Sequence, residues 1–181
     1  MRANPLQRYL EANGILLCNQ NPDLPALEDV GCTWQDVTAL IGQHKLFYSK
    51  AFRRRTTYLS PGAYYLLKAV KPQVPLIPPA ERILSLLDNG STAETAFLKQ
   101  VCGLSPKEYR DGFDFLLQNL YITAMANGTV LNENWSTFQY GTAQAWEALS
   151  PPPPPCDDPK ARLWELLRST VPERCFRSLI R

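Results

Sequence analysis

The sequence predicts an α+β, mostly helical chain, and three observations carry that prediction. Helix starts recur with a capping residue and a proline in the right order, at Ser60-Pro61, Ser105-Pro106 and Asp158-Pro159. Apolar residues follow at helical spacing, as in Tyr109, Phe113, Leu116, Leu117 and Leu120. After Leu120 the pattern changes to alternation over Tyr121–Met125, then Asn127-Gly128, the dipeptide of a tight hairpin. The chain has 181 residues, 45% hydrophobic and 20% charged, enough for one ordinary domain or two small ones around a buried core.

From the N-terminus, Pro5–Glu11 reads as a short helix, Gly14–Cys18 as an apolar strand and Asn19–Pro25 as a loop. Thr33 with Asp36 three residues on forms a capping box opening a helix from Trp34 to about His44. The stretch 45–59 fits a strand or an extended loop. A helix then runs from Pro61 to about Val70 and stops at four prolines within Lys71–Pro79. The boundaries that follow are a small N-terminal α/β subdomain at 1–70, a proline-rich linker at 71–78, a unit at 79–149 and a tail at 150–181.

The unit at 79–149 is the most heavily punctuated. Pro79 opens a helix with Ile83, Leu84, Leu86 and Leu87 inward and Gly90 just past its end. Ser91 and Glu94 read as a capping box for a second helix with Ala93, Phe97, Leu98 and Val101 inward, stopped by Gly103. Ser105-Pro106-Lys107-Glu108 opens the third. Thr129–Leu131 reads as the return strand of the hairpin. Three helices with a tight turn between the last two, then a hairpin, is the order of a winged helix-turn-helix. An α+β unit of the same order that touches only proteins is the alternative.

The formal charge of +2 is too small for a generic polyanion binder, but it hides a segregation. Val37–Ala80 contains no acidic residue and carries seven cations: Lys45, Lys50, Arg53, Arg54, Arg55, Lys68 and Lys71. Phe47, Tyr48, Phe52, Tyr58, Tyr64 and Tyr65 are interleaved with them. Cation beside aromatic suits phosphates and unstacked bases. The candidate DNA contacts are therefore Lys45, Lys50, Arg53, Arg54, Arg55, Tyr48 and Tyr58, with Lys107 and Arg110 from the first turn of the third helix. Against this, Asp111 and Asp114 share that helix, and Ala126–Thr129 at the expected wing holds no cation. The alternative is a solvated basic face balanced by the twelve acids that follow position 80, where there are ten cations.

Other chemistry finds little support. The five cysteines are odd in number and form no CxxC, so neither a disulfide framework nor a zinc ribbon is indicated. His44 is the single histidine, too few for a multi-histidine metal site. Neither GxxxxGK[ST] nor GxGxxG occurs, so no nucleotide cofactor is expected. Glu108, Asp111 and Asp114 read as a solvated helix face rather than an ion site. No catalytic or metal residue is assigned. The N-terminus lacks the apolar core of a signal peptide, and 115–132 is too polar to span a membrane, so the expected compartment is the cytoplasm.

Beyond the hairpin, Asn134–Gly141 reads as a polar-aromatic strand, with Trp135, Phe138 and Tyr140 serving as core or as a stacking platform. Thr142 caps a short helix with Trp146 and Leu149 inward. Pro151–Pro155 is a polyproline II rod. The helical tail after it is too apolar to stay solvated, and docks on this chain or on a second copy as a homodimer.

Two blocks carry a resemblance. YSKAFRRRTTYLSPGAYYLL at 48–67 and ETAFLKQVCGLSPKEYRDGFDFLLQNLYITAM at 94–125 resemble bacterial winged-helix proteins related to the interstrand-crosslink DNA glycosylases. The aromatic Tyr-x-Lys-x-Phe block of those relatives is matched by Tyr48, Lys50 and Phe52, and NWSTFQYGTAQAWEAL is similar to their closing strand and helix. About half of the chain is covered. The glycosylases' catalytic Gln-x-Gln or Gln-x-Asp triplet is absent here. The resemblance implies a tandem helix-turn-helix scaffold on duplex DNA, as a regulator or a repair accessory, and carries over no catalytic residue. A protein-interaction module on the same scaffold is the alternative.

Overall fold

The computed structural model describes residues 3–132 and 135–181. Within them the chain is α+β, about half helical, with two small antiparallel sheets. The elements repeat one order twice. The first pass is α1 (Pro5–Asn13), β1 (Ile15–Leu17), a 3-10 turn (Leu27–Val30), α2 (Trp34–Gly42), then the hairpin strands β2 (Phe47–Phe52) and β3 (Arg55–Leu59). The α3 helix (Pro61–Val70) follows directly. The second pass is α4 (Pro78–Ser85), a one-residue bridge at Ala93, α5 (Thr95–Val101), α6 (Pro106–Gln118), and the hairpin strands β4 (Ile122–Val130) and β5 (Ser136–Thr142). Here α7 (Ala143–Leu149) follows directly. In both passes the segment before the second helix pairs with the last hairpin strand: β1 with β3, and Ala93 with Tyr140.

Local chemistry accounts for most helix starts. Asn4, Thr33, Ser60, Ser105, Thr142 and Asp158 each accept a backbone N–H of the first helical turn. Thr33–Asp36 and Ser105–Glu108 complete capping boxes. Ser91 and Glu94 do not: α5 begins at Thr95, and the Glu94 carboxylate instead accepts from Thr129 N and the Thr137 hydroxyl on the second hairpin. Those bonds hold the Glu94 carboxyl below its ordinary range.

That contact also corrects the hairpin. Asn127-Gly128 is not a turn. It lies inside β4, where Asn127 pairs with Phe138, and the strands join beyond Val130, with the N–H groups of Leu131 and Asn132 both donating to Trp135 O. Gly128 is required because a Cβ there would collide with the Glu94 carboxylate. Thr129 and Val130, expected in the return strand, end β4, and Asn134, expected to begin a polar-aromatic strand, lies outside the described residues. Phe97 and Val101, expected inward, are 53% and 44% exposed, and Leu149 is 59% exposed. Phe138 and Tyr140 of β5 are core, and Trp135, just before the strand, is exposed.

The two passes pack reciprocally, α2 on β4 and α6 on β2. β2 and β4 are edge strands of their sheets, and they meet. The buried Thr123 hydroxyl accepts from Tyr48 N at 2.8 Å and donates to Tyr48 O at 2.9 Å, satisfying both outward groups of that edge residue. One core then runs continuously from Leu6, Leu40 and Tyr58 to Ile83, Phe113 and Tyr140.

A second core lies under the first sheet. It joins Phe47, Leu59 and Leu67 to Trp146 of α7 and to the tail helices α8 (Pro159–Leu167) and α9 (Glu173–Leu179). Tyr64 donates to Glu147 at 2.6 Å and stacks on Phe47 at 3.9 Å. The tail docks within the chain, burying Leu163, Leu167, Phe176 and Leu179. Gly14 is built for that docking: its φ is 80°, and a Cβ would stand 2.8 Å from Leu167 Cδ2. Residues Pro151–Pro155 stay exposed and wall a groove of about 980 Å³ above α3 and α8. Lys71 donates to the carbonyls of Leu179 and Arg181, and burial lowers its pKa. Among the described residues, no helix is long and apolar enough to cross a membrane.

Thr123→Val keeps the shape but strands two buried backbone groups on Tyr48. It should cost about 1–3 kcal/mol in urea unfolding, whereas Thr123→Ser should retain most of the stability.

Candidate nucleic-acid interface

The cations expected to act together are distributed by the fold. Lys50 leaves β2 toward α6 and pairs with Asp114 at 2.7 Å. Asp114 stands one helical turn after Arg110, and Lys107 stands three residues before it, so the three share one side of α6. Lys107 and Arg110 are exposed. Lys99 of α5, not singled out from the sequence, lies over the Tyr109 ring at 5.6 Å and borders the same concavity of about 410 Å³ as Arg110. The three carboxylates of α6 do not gather around an ion. Glu108 closes the helix cap, Asp114 holds Lys50 and Asp111 is exposed.

The arginine triplet sits elsewhere, at the β2–β3 turn. Phe52 pairs with Arg55, leaving Arg53 and Arg54 as the two turn residues, with φ of 47° and 60°. Two consecutive left-handed residues are the signature of a type I′ turn, which Asn-Gly fills at least cost. Each arginine there bears a steric penalty of about 1–2 kcal/mol. Arg53 is held down: its Nη1 meets Asp23 Oδ2 at 2.8 Å, its Nε donates to Ser178 Oγ at 3.3 Å, and its guanidinium lies 5.0 Å from the Phe52 ring centre. Arg54 and Arg55 are exposed, and among the described residues no carboxylate pairs with them or with Lys45.

The acid-free strip of the sequence is thus not acid-free in space. Lys50, Arg53 and Lys68 each meet a carboxylate from outside it, on Asp114, Asp23 and Glu147. The aromatics correct more sharply. Tyr58 is fully buried, with 0% exposure, so it cannot stack on a base, and burial drives its hydroxyl pKa far above the ordinary range. Tyr48 is half-buried among Tyr58, Phe138 and Tyr140, with ring centres 5.6–6.1 Å away, and serves the seam between the two passes. The aromatics that suggested stacking belong to strands buried on both faces, with Tyr48 and Tyr58 toward the first core and Phe47 and Phe52 toward the second.

Compared with protein-family models, with curated proteins and with solved structures, the chain matches none.

Arg54→Gly removes a left-handed side chain that has no ion pair. It should stabilise the fold by up to about 1 kcal/mol, raising the thermal midpoint by ~2–4 °C. A lowered midpoint would mean that Arg54 stabilises the folded chain by some contact of its own.

Proposed function

We propose that the chain is a tandem winged-helix protein that binds duplex DNA. What supports the first part is the twice-repeated order of helix, short strand, second helix or turn, third helix and hairpin, with the short strand paired to the last hairpin strand. On this reading the N-terminal subdomain is itself a winged helix, its second helix reduced to the 3-10 turn at Leu27–Val30. The resemblance to winged-helix relatives of the crosslink glycosylases points the same way. It supplies no catalytic residue, so the role proposed is binding, as a regulator or repair accessory.

The observation that carries the DNA reading is the Arg53-Arg54 turn at the tip of the first hairpin. A wing tip meets phosphates, and Arg54, which keeps a left-handed backbone and among the described residues has no carboxylate partner, suits that contact, with exposed Arg55 beside it. Lys107 and Arg110 offer a second contact from α6. A protein-interaction reading draws on the apolar side chains left exposed on the second hairpin, Val130 at 74%, Leu131 at 65% and Trp135 at 56%.

The test is binding to random-sequence duplex across a salt series. The expected result is an affinity that falls linearly with log salt, and an Arg54→Gln/Arg55→Gln variant whose slope is shallower by ~1.8, about 0.9 for each lost phosphate contact. A salt-independent affinity, or none at low salt, removes the DNA reading and leaves protein interaction standing.

A further inference from the structure

We infer that the tail helix α9 and the β2–β3 turn form one cationic surface for the phosphate backbone of duplex DNA, with Arg174 and Arg177 as contacts beside Arg54 and Arg55. The inference rests on the DNA-binding reading above and extends its contact surface to the tail.

α9 has two faces. Cys175, Phe176 and Leu179 are buried in the second core. Arg174, Arg177 and Ser178 stand at i, i+3 and i+4 on the other side, and Arg181 follows at i+7, just past the helix end. Ser178 is the residue that receives Arg53 Nε, so the arginine-bearing side of α9 abuts the turn. Asp23 ties the two elements together. Its Oδ2 lies 2.8 Å from Arg53 Nη1 and its Oδ1 lies 4.0 Å from Arg174 Nη1. Glu173 Oε1 lies 3.7 Å from Arg177 Nη2.

The charge balance of this patch decides the reading. Of five guanidiniums, those of Arg53, Arg174 and Arg177 share two carboxylates, on Asp23 and Glu173, and among the described residues those of Arg54 and Arg55 pair with none. The surplus raises the free energy of the fold unless an external anion neutralises it. Backbone strain at Arg53 and Arg54 falls on the same edge. Two independent costs borne at one place are what a binding surface shows and what an ordinary solvated face avoids. The sequence contains the same surplus: residues 159–181 hold Lys160, Arg162, Arg168, Arg174, Arg177 and Arg181 against Glu165 and Glu173. The apolar residues of the tail go to the core, and the arginines remain outside it.

Duplex DNA suits this layout because each strand offers a phosphate every ~3.4 Å along its axis. Guanidiniums about one helical turn apart on α9, continued by the turn, can meet successive phosphates through paired N–H donors. Such contacts grip the backbone and carry no sequence information.

The test uses the full chain with two unrelated duplexes between about 50 and 200 mM salt. Arg174→Gln/Arg177→Gln should weaken binding to both equally, with the salt slope shallower by ~1.8. Arg174→Lys/Arg177→Lys should keep the slope, and the thermal midpoints should show each variant folded. If the wild type binds and the glutamine variant matches it in affinity and slope, α9 is not part of the surface and the DNA reading survives. If the wild type binds no duplex at the lowest salt, that reading and the inference fail together. Binding of phosphatidylserine vesicles that depends on Arg174 and Arg177, with no effect of either on duplex, assigns the patch to a membrane surface and overturns the inference. A loss confined to one of the two duplexes overturns backbone contact in favour of base reading.

Discussion

The hydroxyl of Thr123 does for β2 what a further strand would otherwise do. An edge strand presents unpaired N–H and C=O groups, which must be hydrated, covered or paired. Here one side-chain oxygen both accepts from and donates to Tyr48, at 2.8 and 2.9 Å, and the two hairpins close on each other without merging their sheets. The rest of the arrangement follows from that seam. With β2 against β4, each third helix lies on the other unit's hairpin, and the Tyr48 ring is enclosed by Tyr58, Phe138 and Tyr140. Lys50, next along β2, is carried to Asp114 of α6.

The seam also settles what the hairpins can present. Residues near the start of β2 and β4 are consumed in it, so only the distal ends remain for contacts with other molecules. At the far end of β2 these are the arginines of the turn. At the far end of β4 they are Val130 and Leu131, with Trp135 beside them resting 5.3 Å from Trp34 of α2. The described residues near the two hairpin ends thus differ in chemistry, cationic at Arg54 and Arg55 and apolar at Val130, Leu131 and Trp135, though the strand order matches.

Much of the helical layout was legible because helix starts are written in chemistry that spans three or four residues. Ser105, Pro106 and Glu108 are such a signal, and their cap forms as the sequence reads. What escaped was set by residues far apart in sequence. Asn127-Gly128 has the composition of a turn, but its glycine answers to Glu94, thirty-four positions earlier. Phe97 and Val101 fit an inward stripe, yet α5 buries only Leu98 among its residues. The first repeat was hidden because its second helix is four residues long and leaves no periodicity to read. The candidate site divides in the same way. That Arg54 and Arg55 have no partner within their own run was readable from its lack of acids, but that none reaches them from elsewhere among the described residues was not. That Asp23 and Asp114 reach into that run, and that Tyr58 is core, are facts of folding. The cations of α9 were passed over because the apolar residues among them dominated the reading of the tail.

The lower core has an uneven history along the chain. Ile15, Leu17, Phe47 and Leu59 emerge early from a ribosome, whereas Leu163, Val171, Phe176 and Leu179, which cover them, come last. At a translation rate of ~5–20 residues per second, the nascent first sheet waits roughly 6–24 s for its lid. During that interval its underside is covered only in part, by Tyr64 and Leu67 of α3 and then Trp146 of α7, and the Arg53 turn lacks the Ser178 hydroxyl that steadies it. Completion of the N-terminal half is therefore an event that follows synthesis, and a chain halted before α8 would expose an apolar sheet face suited to chaperones or to aggregation.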